Sequence, residues 1–273
     1  MKQKISITIE EGLLRELDKV IDNIYIRNRS QAIEHFVSSS VGEEKTAVIL
    51  AGGGEKEITV GNDFMIGIEI GGKTLLELAV RKLRESGFKN IFIVARSKVL
   101  TRAFEILSDG TSYGVKVNYI EEKVSRGTAN TLKLVKGKIS SRFLAVYGDI
   151  FFGEVNLKTL WEDHVRQKPI ATLMLTTSPK PSEKGTVNME GNKVLQFIQK
   201  PKDSDIYLVF SPIFVAEPEI LEYVGNSLEQ DVFPKIAEKG LLRGYLSSEK
   251  EIHIHTRGDV KKVKLGSTRI GDK

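Results

Sequence analysis

The stretch 47–54, Ala-Val-Ile-Leu-Ala-Gly-Gly-Gly, constrains the fold more than any other part of the chain. A short, continuous apolar run predicts a strand that is buried on both faces, as in a parallel sheet. Three glycines follow directly, and glycine lets the backbone come close to a ligand and offer N–H groups to phosphate. The stretch is neither G-x-G-x-x-G nor a P-loop, because no Gly-Lys-Ser/Thr follows. The alternative is a plain turn after a strand.

Composition excludes several classes of protein. The 273 residues are enough for one or two domains with a substantial core. No apolar run approaches the roughly 20 residues that span a bilayer, and the charged N-terminus does not resemble a signal peptide, so we expect a cytoplasmic protein without a membrane partner. The absence of cysteine excludes disulfides and thiolate metal sites. A net charge of +5 mildly favours a polyanionic partner, with a solvated basic surface as the simpler explanation.

The first forty residues have a pattern of their own. Residues 4–9 alternate, with three isoleucines on one face and Lys4, Ser6 and Thr8 on the other, which predicts a half-buried strand. Two helical segments follow, and the second opens at Asn-Arg-Ser-Gln, 28–31, whose first residue is a good N-cap. One strand and two short helices cannot bury the isoleucines alone. We therefore expect a second copy, with the two strands paired antiparallel across a two-fold axis.

This pattern resembles the ribbon-helix-helix DNA-binding domains over residues 2–40. The resemblance implies a dimeric domain at 1–43 whose paired strands enter the major groove of DNA. It assigns base contacts to the polar strand face and a phosphate contact to the N–H groups that open the second helix, which makes the expected DNA-binding residues Lys4, Ser6, Thr8, Arg29 and Ser30. The alternative is a dimerisation arm with no DNA role, because the segment is also rich in acidic residues.

From residue 44 onward, apolar runs alternate with helix-period segments. The predicted strands are 47–51, 90–95, 115–120 and 142–147, and the predicted helices are 73–86, 100–107 and 127–134. This alternation predicts a parallel sheet wound by right-handed crossovers, in which ligands bind beyond the carboxyl ends of the strands. The glycines at 52–54, Gly127-Thr128 and Gly148-Asp149 all fall at those ends.

The order of these short motifs resembles the sugar-phosphate nucleotidylyltransferases over about residues 45–245. The matching pieces are Leu50-Ala-Gly-Gly53, Gly71-Gly-Lys-Thr-Leu-Leu-Glu77, Arg126-Gly-Thr-Ala129, Gly148-Asp149 and Val194-Leu-Gln-Phe-Ile-Gln-Lys-Pro201. The resemblance implies an α/β fold, a Rossmann-like, mixed but mostly parallel sheet, for a domain that we place at 44–260. The residues that follow, 261–273, form a basic tail by composition. It also implies transfer of a nucleotide from an NTP to a sugar 1-phosphate, with release of pyrophosphate and with Mg²⁺ on the phosphates.

The same resemblance assigns the site residues. The nucleotide would contact Ala51, Gly52, Gly53, Gly54, Lys56, Glu122, Gly127 and Thr128. The sugar or its phosphate would contact Lys200 and a loop that contains Gly185 and Thr186. Asp149 would be a ligand of the metal, with a helix N-cap as its alternative role. Glu122 falls where the family places a base-reading residue. A carboxylate can accept from N1–H and N2–H of guanine, so we expect a preference for guanine.

Three charged positions of the family are replaced. Glu57 stands where an arginine is expected, Met65 where a lysine is expected, and His253 where a second metal-binding aspartate is expected, although Lys56 offers a nearby cation. Losing one preorganised cation at a phosphoryl transition state costs roughly 3 kcal/mol, so three losses predict little catalysis. His253 and His255 share a strand face, but no third ligand is evident in the sequence. We therefore expect a solvated or hydrogen-bonded pair rather than a metal site.

These patterns favour a DNA-binding transcriptional regulator that is a homodimer or a higher homo-oligomer. Its second domain would be a degenerate nucleotidyltransferase that senses a nucleotide, a sugar phosphate or an NDP-sugar. The first alternative is an active sugar-1-phosphate nucleotidylyltransferase whose N-terminal arm serves oligomerisation. The second is a nucleotide-binding scaffold without DNA. Glu57 and Met65 are the residues that favour the sensor.

Overall fold

The chain divides into two compact units, Met1–Glu44 and Lys45–Lys273. The structure is a computed structural model that describes residues 5–21, 26–33, 45–54, 58–61, 63–256, 258–261 and 263. Within these ranges no helix is both long and apolar enough to cross a membrane.

The first unit contains the two helical segments that the sequence predicts. Helix α1 covers Glu11–Lys19, and residues 29–33 are helical. Asn28 Oδ1 accepts a hydrogen bond from Gln31 N–H at 2.9 Å, which confirms Asn28 as an N-cap. The Gln31 side chain in turn accepts from Arg27 N–H at 2.7 Å. The start of the second helix is therefore determined by its own sequence.

The predicted N-terminal strand does not form within one chain. Residues 5–10 have no strand assignment, and the side chains of Ile5 and Ile7 are 72% and 51% exposed. A strand is defined by a hydrogen-bonded partner, and the described part of a single chain offers these residues none. The ribbon therefore has no support here, and pairing with a second copy stays a prediction.

The second unit is built on one nine-stranded sheet. Its strands are β1 Lys45–Ala51, β6 Phe88–Ala95, β7 Lys116–Glu121, β8 Phe143–Tyr147, β10 Ala171–Thr177, β11 Gly185–Glu190, β12 Lys193–Gln199, β13 Leu208–Ala216 and β14 Leu242–Leu246. Short strands outside it are β2 Thr59–Val60, β3 Asp63–Phe64, β4 Glu69–Ile70, β5 Lys73–Thr74, β9 Ile150–Phe151 and β15 Ile252–His253. The helices are α2 Leu75–Glu85, α3 Ser97–Leu107, α4 Thr128–Lys133, α5 Leu157–Gln167 and α6 Phe233–Glu238.

The strand order places β1 inside the parallel half of the sheet. The order is β10-β14-β12-β11-β13-β8-β1-β6-β7, with β8, β1, β6 and β7 parallel to one another and β13 antiparallel to β8. The chain runs from β1 to β6 on one side and later returns to β8 on the other side. In a sheet wound this way, a crevice opens beyond the carboxyl ends of the strands where the order reverses.

Strand β1 is buried on both faces, as its apolar run predicts. Ala47 and Ile49 belong to a core that also contains apolar residues of α2, α3 and α5. Val48 and Leu50 face the opposite way, into a core shared with α4 and α6. Because side chains alternate along a strand, one run of five apolar residues serves both layers.

Helix α2 shows how a local signal sets a boundary. Thr74 Oγ1 accepts from Glu77 N–H at 3.2 Å, and the Glu77 carboxylate accepts from Thr74 N–H at 2.7 Å, which completes a capping box. Leu76, Val80 and Leu83 recur at helical spacing and are buried against the sheet. This box starts the helix two residues later than the sequence pattern predicted.

Gly185 and Thr186 lie in a strand and not in a loop. They were expected in a loop, but they begin strand β11, which pairs antiparallel with β12 in the register Thr186 to Ile198. The segment runs Gly-Thr-Val-Asn-Met-Glu and is followed by the tight turn Gly191-Asn192. β-branched residues before a glycine turn are typical of a hairpin.

The half-buried carboxylate of Glu217 links the end of β13 to helix α5 and to the residue before β8. Glu217 Oε1, just after β13, lies 3.2 Å from Arg142 Nε and 3.4 Å from His164 Nε2 on α5. Burial alone would raise the pKa of Glu217, but the His164 and Arg142 side chains outweigh it and hold the pKa below its usual value. The ionised carboxylate therefore contributes to stability.

Candidate active site

A pocket of about 220 Å³ opens at the carboxyl ends of β1 and β8. One wall is apolar and consists of Ile58, Phe64, Met65, Ile66 and Val99. The other wall contains Leu50, Ala51, Gly52, Thr128, Thr131, Tyr147, Gly148, Asp149 and His255. The structure therefore brings together Ala51, Gly52, Thr128 and Asp149 of the predicted site residues, and these come from three separate segments.

The two strand ends approach each other so closely that only glycine fits between them. Gly148 N–H donates to Leu50 O at 2.8 Å, and a Cβ on Gly148 would lie 2.8 Å from the Cβ of Ala51. A Cβ on Gly52 would overlap the carboxylate of Glu122. The glycines thus permit the loop after β1 to pack against its neighbours, which is a different role from the approach to a ligand that the sequence predicts.

Glu122 lies directly behind the glycine loop. It is 2% exposed, its Oε2 accepts from Gly53 N–H at 3.2 Å, and its Oε1 accepts from the Thr131 hydroxyl. The Thr131 hydroxyl is also 3.2 Å from Gly127 O. The carboxylate therefore ties the loop after β1 to the start of α4, and Gly53 points its N–H at Glu122 rather than into the pocket.

A second carboxylate, which the sequence did not reveal, anchors Gly127-Thr128. The Thr128 hydroxyl donates to Glu229 Oε2 at 2.8 Å and accepts from Leu228 N–H at 2.8 Å. Tyr147, at the end of β8, donates its hydroxyl to Glu229 Oε1. Burial and the neighbouring carboxylate raise the pKa of Tyr147 well above its usual value, so this tyrosine stays neutral and donates.

Asp149 lies in the turn between β8 and β9, where no helix begins, so the alternative of a helix N-cap is wrong. Strand β9 pairs antiparallel with β15, His253 opposite Ile150, and Ile254 N–H donates to Asp149 O at 2.8 Å. This two-residue ladder brings the histidines to the aspartate. Asp149 Oδ2 lies 3.5 Å from His253 Nδ1 and 3.7 Å from His255 Nε2.

Glu251 supports this cluster from behind. Its side chain is 1% exposed, with Oε1 3.5 Å from His253 Nε2 and 3.0 Å from Lys184 Nζ, and Oε2 accepting from the Ser211 hydroxyl at 2.5 Å. Burial would raise the pKa of Glu251, but the hydrogen bond with His253, the charge of Lys184 and the Ser211 hydrogen bond lower it to about 2. Glu251 is therefore a permanent anion at neutral pH.

Asp149 and Glu251 favour the protonated form of His253, and the two histidines favour the ionised form of Asp149. Burial would lower the pKa of His253, but hydrogen bonds with Asp149 and Glu251 raise it to about 9. Burial would also raise the pKa of Asp149, but its hydrogen bond with His253 and the two histidine charges hold it below its usual value. His253 is thus hydrogen-bonded to a carboxylate, and Asp149 is the third group beside the two histidines that the sequence did not reveal.

Lys184, which pairs with Glu251, connects this cluster to Lys200, one of the residues expected to contact the sugar phosphate. Lys200 N–H donates to Lys184 O at 3.0 Å, and Lys200 has a left-handed backbone with φ of 46°. Its side chain is exposed. Thr186 is 2% exposed, and its hydroxyl donates to Ile198 O at 3.3 Å, so it stabilises the hairpin. A Cβ on Gly185 would lie 2.5 Å from the Phe197 ring.

Several predicted residues fall elsewhere. Lys4, Lys56 and Glu57 lie outside the described residues, and Ser6, Thr8 and Ser30 are exposed. Arg29 is engaged by Asp18, with Nε 2.7 Å from Oδ1 and an exposed guanidinium. Met65 is 5% exposed and forms part of the apolar wall of the pocket, where a lysine was expected.

The magnesium ion that the family resemblance implies does not suit this donor set. Mg²⁺ prefers oxygen ligands in an octahedron and binds through carboxylates, phosphates and water. Here His253, at the position where a second carboxylate was expected, and His255 place two imidazoles beside Asp149. Among the described residues, these three form the only group of three that could hold a metal. Imidazole suits zinc-like transition metals and not Mg²⁺.

Fold and site together define a class: an α/β domain with a glycine-lined pocket and an acidic residue at the switch point of a parallel sheet. The sequence model of one family, described as nucleotidyl transferase, matches residues 46–251. The chain belongs to the nucleotidyl transferase family.

Individual relatives agree with this assignment. The chain is 29% identical over 170 residues to a Sulfolobus acidocaldarius protein assigned as a mannose-1-phosphate guanyltransferase, covering 60% of this chain and 46% of that one. It is 26% identical over 189 residues to the mannose-1-phosphate guanyltransferase of Aspergillus oryzae, covering 65% and 51%. The UTP–glucose-1-phosphate uridylyltransferase of Synechocystis is 27% identical over 190 residues, with 62% and 48% covered. The chain thus spans about half the length of these relatives.

A solved structure confirms the fold of the second unit. It is a Bacillus anthracis protein, assigned as a glucose-1-phosphate thymidylyltransferase and bound to sucrose, with a TM-score of 0.74 and 19% identity. The match covers 84% of this chain and 97% of that one. The predicted Rossmann-like, mixed α/β fold is therefore confirmed.

The comparisons overturn the expected function. The prediction of a transcriptional regulator with a degenerate sensor domain is wrong, because the family and its named relatives are transferases. They also give no support to a ribbon-helix-helix domain or to a DNA partner. That prediction considered only the replaced charges at three positions of the sequence. The fold adds other charged groups beside Asp149 and His253 from distant segments, namely Glu251, Lys184 and His255.

Proposed function

We propose that this chain is an active sugar-1-phosphate nucleotidylyltransferase that takes GTP and mannose 1-phosphate. Its membership of the nucleotidyl transferase family supports the reaction type. The names of the relatives from Sulfolobus, Aspergillus and Oryza support the guanine nucleotide and the mannose phosphate. Because the chain spans only about half the length of these relatives, their activity does not by itself establish the activity of this chain, and the proposal depends on the geometry of the site in this chain.

One observation carries the proposal: a continuous set of contacts links the glycine pocket to the hairpin of β11 and β12. Asp149, on the pocket wall, lies beside His253. His253 lies beside Glu251, and Glu251 pairs with Lys184. Lys184 O then holds the backbone of Lys200. A nucleotide in the pocket and a sugar phosphate at Lys200 would therefore lie on adjacent parts of one surface.

The chemistry requires little of the protein beyond position and charge. A phosphate oxygen of the sugar 1-phosphate attacks the α-phosphorus of the NTP, the new P–O bond forms, and the bond to the β-phosphate bridging oxygen breaks to release pyrophosphate. The loop at Ala51 and Gly52 would hold the nucleotide in the pocket. Lys200, exposed and rigidly placed by its backbone, would neutralise the incoming sugar phosphate.

Glu122 is the residue that we propose to read guanine as the base, once the glycine loop that buries it moves aside. Its carboxylate accepts from Gly53 N–H and from the Thr131 hydroxyl. It also lies directly against Gly52, and Gly52 and Thr131 line the pocket. Each carboxylate oxygen has two lone pairs, so it can accept from guanine as well as from the protein donors. Guanine presents two adjacent N–H donors, whereas uracil presents one.

The test is pyrophosphate release from four NTPs crossed with mannose, glucose and N-acetylglucosamine 1-phosphates, each in Mg²⁺, Mn²⁺, Co²⁺ or Zn²⁺. We expect the fastest release with GTP and mannose 1-phosphate, and a loss of about a hundredfold or more in Asp149→Asn. Glu85→Gln is the matched control, since Glu85 is exposed and ends α2 shortly before β6 begins, at the opposite edge of the sheet. Release that never exceeds the Asp149→Asn background would refute the proposal.

A further inference from the structure

The cluster of Asp149, His253 and His255 has the geometry of a three-ligand metal centre. Its three ligand atoms all lie within 4.8 Å of one another, and Oδ2 of Asp149 is 3.5 Å and 3.7 Å from the two imidazole nitrogens. Ligand atoms about 2.0–2.1 Å from a tetrahedral cation are roughly 3.3 Å apart. Small side-chain rotations therefore suffice to place all three on one cation.

The backbone brings the two histidines and Asp149 together. His253 and His255 are two residues apart, and their rings stack with centroids 5.4 Å apart and planes at 21°. The ladder between β9 and β15 fixes His253 opposite Ile150, next to the turn that carries Asp149. Backbone pairing therefore places His253, and the hydrogen bond from Ile254 N–H to Asp149 O holds the turn of Asp149 next to it.

An independent observation is the carboxylate behind His253. In metal sites, a ligating histidine commonly donates its second ring N–H to a carboxylate, which fixes the ring and its tautomer. Glu251 occupies this place: its Oε1 faces His253 Nε2 at 3.5 Å, while Nδ1 faces Asp149. The Ser211 hydroxyl and Lys184 hold the Glu251 carboxylate in turn.

We propose that Asp149 Oδ2, His253 Nδ1 and His255 Nε2 bind a zinc-like divalent transition metal ion, with Glu251 as the positioning residue. The two imidazoles exclude Mg²⁺ as the preferred ion and favour Zn²⁺ or Co²⁺. Three protein ligands leave at least one position open, as in catalytic rather than structural zinc sites. Asp149 and His255 line the pocket, so that position faces the place where the nucleotide phosphates would lie. This last step, and only this one, rests on the proposed nucleotidyl transfer.

The first test is metal binding without substrate. The chelator-treated 273-residue chain is titrated with Co²⁺, Zn²⁺ and Mg²⁺ by calorimetry, and the visible d–d spectrum of the Co²⁺ form is recorded. We expect one high-affinity Co²⁺ or Zn²⁺ per chain, bound at least about a hundredfold more tightly than Mg²⁺. Absence of saturable Co²⁺ binding, or equal affinity for Mg²⁺, would overturn the proposal.

Variants then locate the site. Asp149→Asn and His255→Ala should each weaken Co²⁺ binding at least about tenfold, and Glu251→Gln should weaken it about 10- to 100-fold and shift the Co²⁺ spectrum. Glu85→Gln, which removes an acidic side chain at the other edge of the sheet, should match the wild type. Because His255 is exposed, its variant stays folded, and its thermal melt without metal checks this. Unchanged affinity in His255→Ala would place the ion elsewhere and refute the assignment.

The outcome does not depend on turnover. Co²⁺ binding that requires the three ligands supports the metal centre even if no pyrophosphate is released. Pyrophosphate release that is unaffected by His255→Ala and fastest with Mg²⁺ would contradict the metal centre while leaving the proposed transfer reaction standing.

Discussion

Replacing Glu122 by glutamine separates base recognition from loop anchoring, because the structure accommodates the amide at little cost. The side-chain amide can donate to Thr131 Oγ1, whose own proton then goes to Gly127 O, 3.2 Å away. The remaining amide oxygen can still accept from Gly53 N–H. Both hydrogen bonds of the carboxylate lose their charge assistance, so we expect a loss of unfolding free energy of no more than about 2 kcal/mol.

The effect on the nucleotide should be larger and selective. With the amide nitrogen of Glu122→Gln directed at Thr131, guanine loses one of its two acceptors. One N–H of guanine is then left unpaired, which costs about 1–3 kcal/mol, or roughly 5- to 150-fold in the Kd for GTP. Uracil has a single N–H to satisfy, so the Kd for UTP should change by less than about threefold.

The assay is calorimetric titration of GTP and UTP into wild type, Glu122→Gln and Glu121→Gln. Glu121 is the exposed neighbour at the end of β7, so its variant removes the same charge without touching the loop. Equal losses for GTP and UTP in Glu122→Gln would show that Glu122 only anchors the glycine loop. A matching loss in Glu121→Gln would show that the effect is one of net charge, and either result refutes the base-reading argument.

Three further predictions concern the scaffold. Gly148→Ala forces a Cβ to within 2.8 Å of Ala51 Cβ, so we expect a loss of about 1–3 kcal/mol in urea unfolding and of GTP affinity, whereas Gly12→Ala, with nothing within 4 Å, should show neither loss. Folding lowers the pKa of Glu217 from 4.5, so the contribution of the ionised carboxylate to the unfolding free energy is complete above that pH and is lost as the pH falls below it. In urea unfolding, Glu217→Gln should therefore cost about 1–2 kcal/mol at pH 7 and progressively less towards pH 4. A difference between the variant and the wild type that does not change with pH would contradict this. Phe233→Ala empties a fully buried position whose ring lies 5.4 Å from three other phenylalanine rings, and we expect a loss of about 3–5 kcal/mol by the same measurement; a loss below about 1 kcal/mol would contradict close packing there.

The parts of the fold that local pattern determines were accessible from the sequence. Strand β1 was predicted because five apolar residues in a row serve two cores. Its glycine loop was predicted because three glycines follow the strand directly, and in the structure a Cβ on Gly52 would overlap the Glu122 carboxylate. The capping of Thr74 and of Asn28 is encoded within four residues of chain. Such features depend on neighbours in sequence, and the physical rules for them are short-range.

The site was only partly accessible. Asp149 and Glu122 were predicted as functional, but the carboxylates that support the site, Glu229 and Glu251, were not. Glu251 had a usable signal, because Glu251, His253 and His255 alternate in sequence, and in an extended segment such residues lie on the same side. Glu229 had none: it reaches Thr128 across 101 residues.

What the sequence alone determined is the family of the second unit and its alternation of strands and helices, since periodicity and glycine positions are properties of short segments. What only the tertiary structure decided is which ionisable groups meet. Asp149 and His253 are 104 residues apart and touch because a two-residue ladder joins β9 to β15. Charge replacements counted along the chain predicted a degenerate site, because electrostatic interactions depend on distance in space and not on separation in sequence.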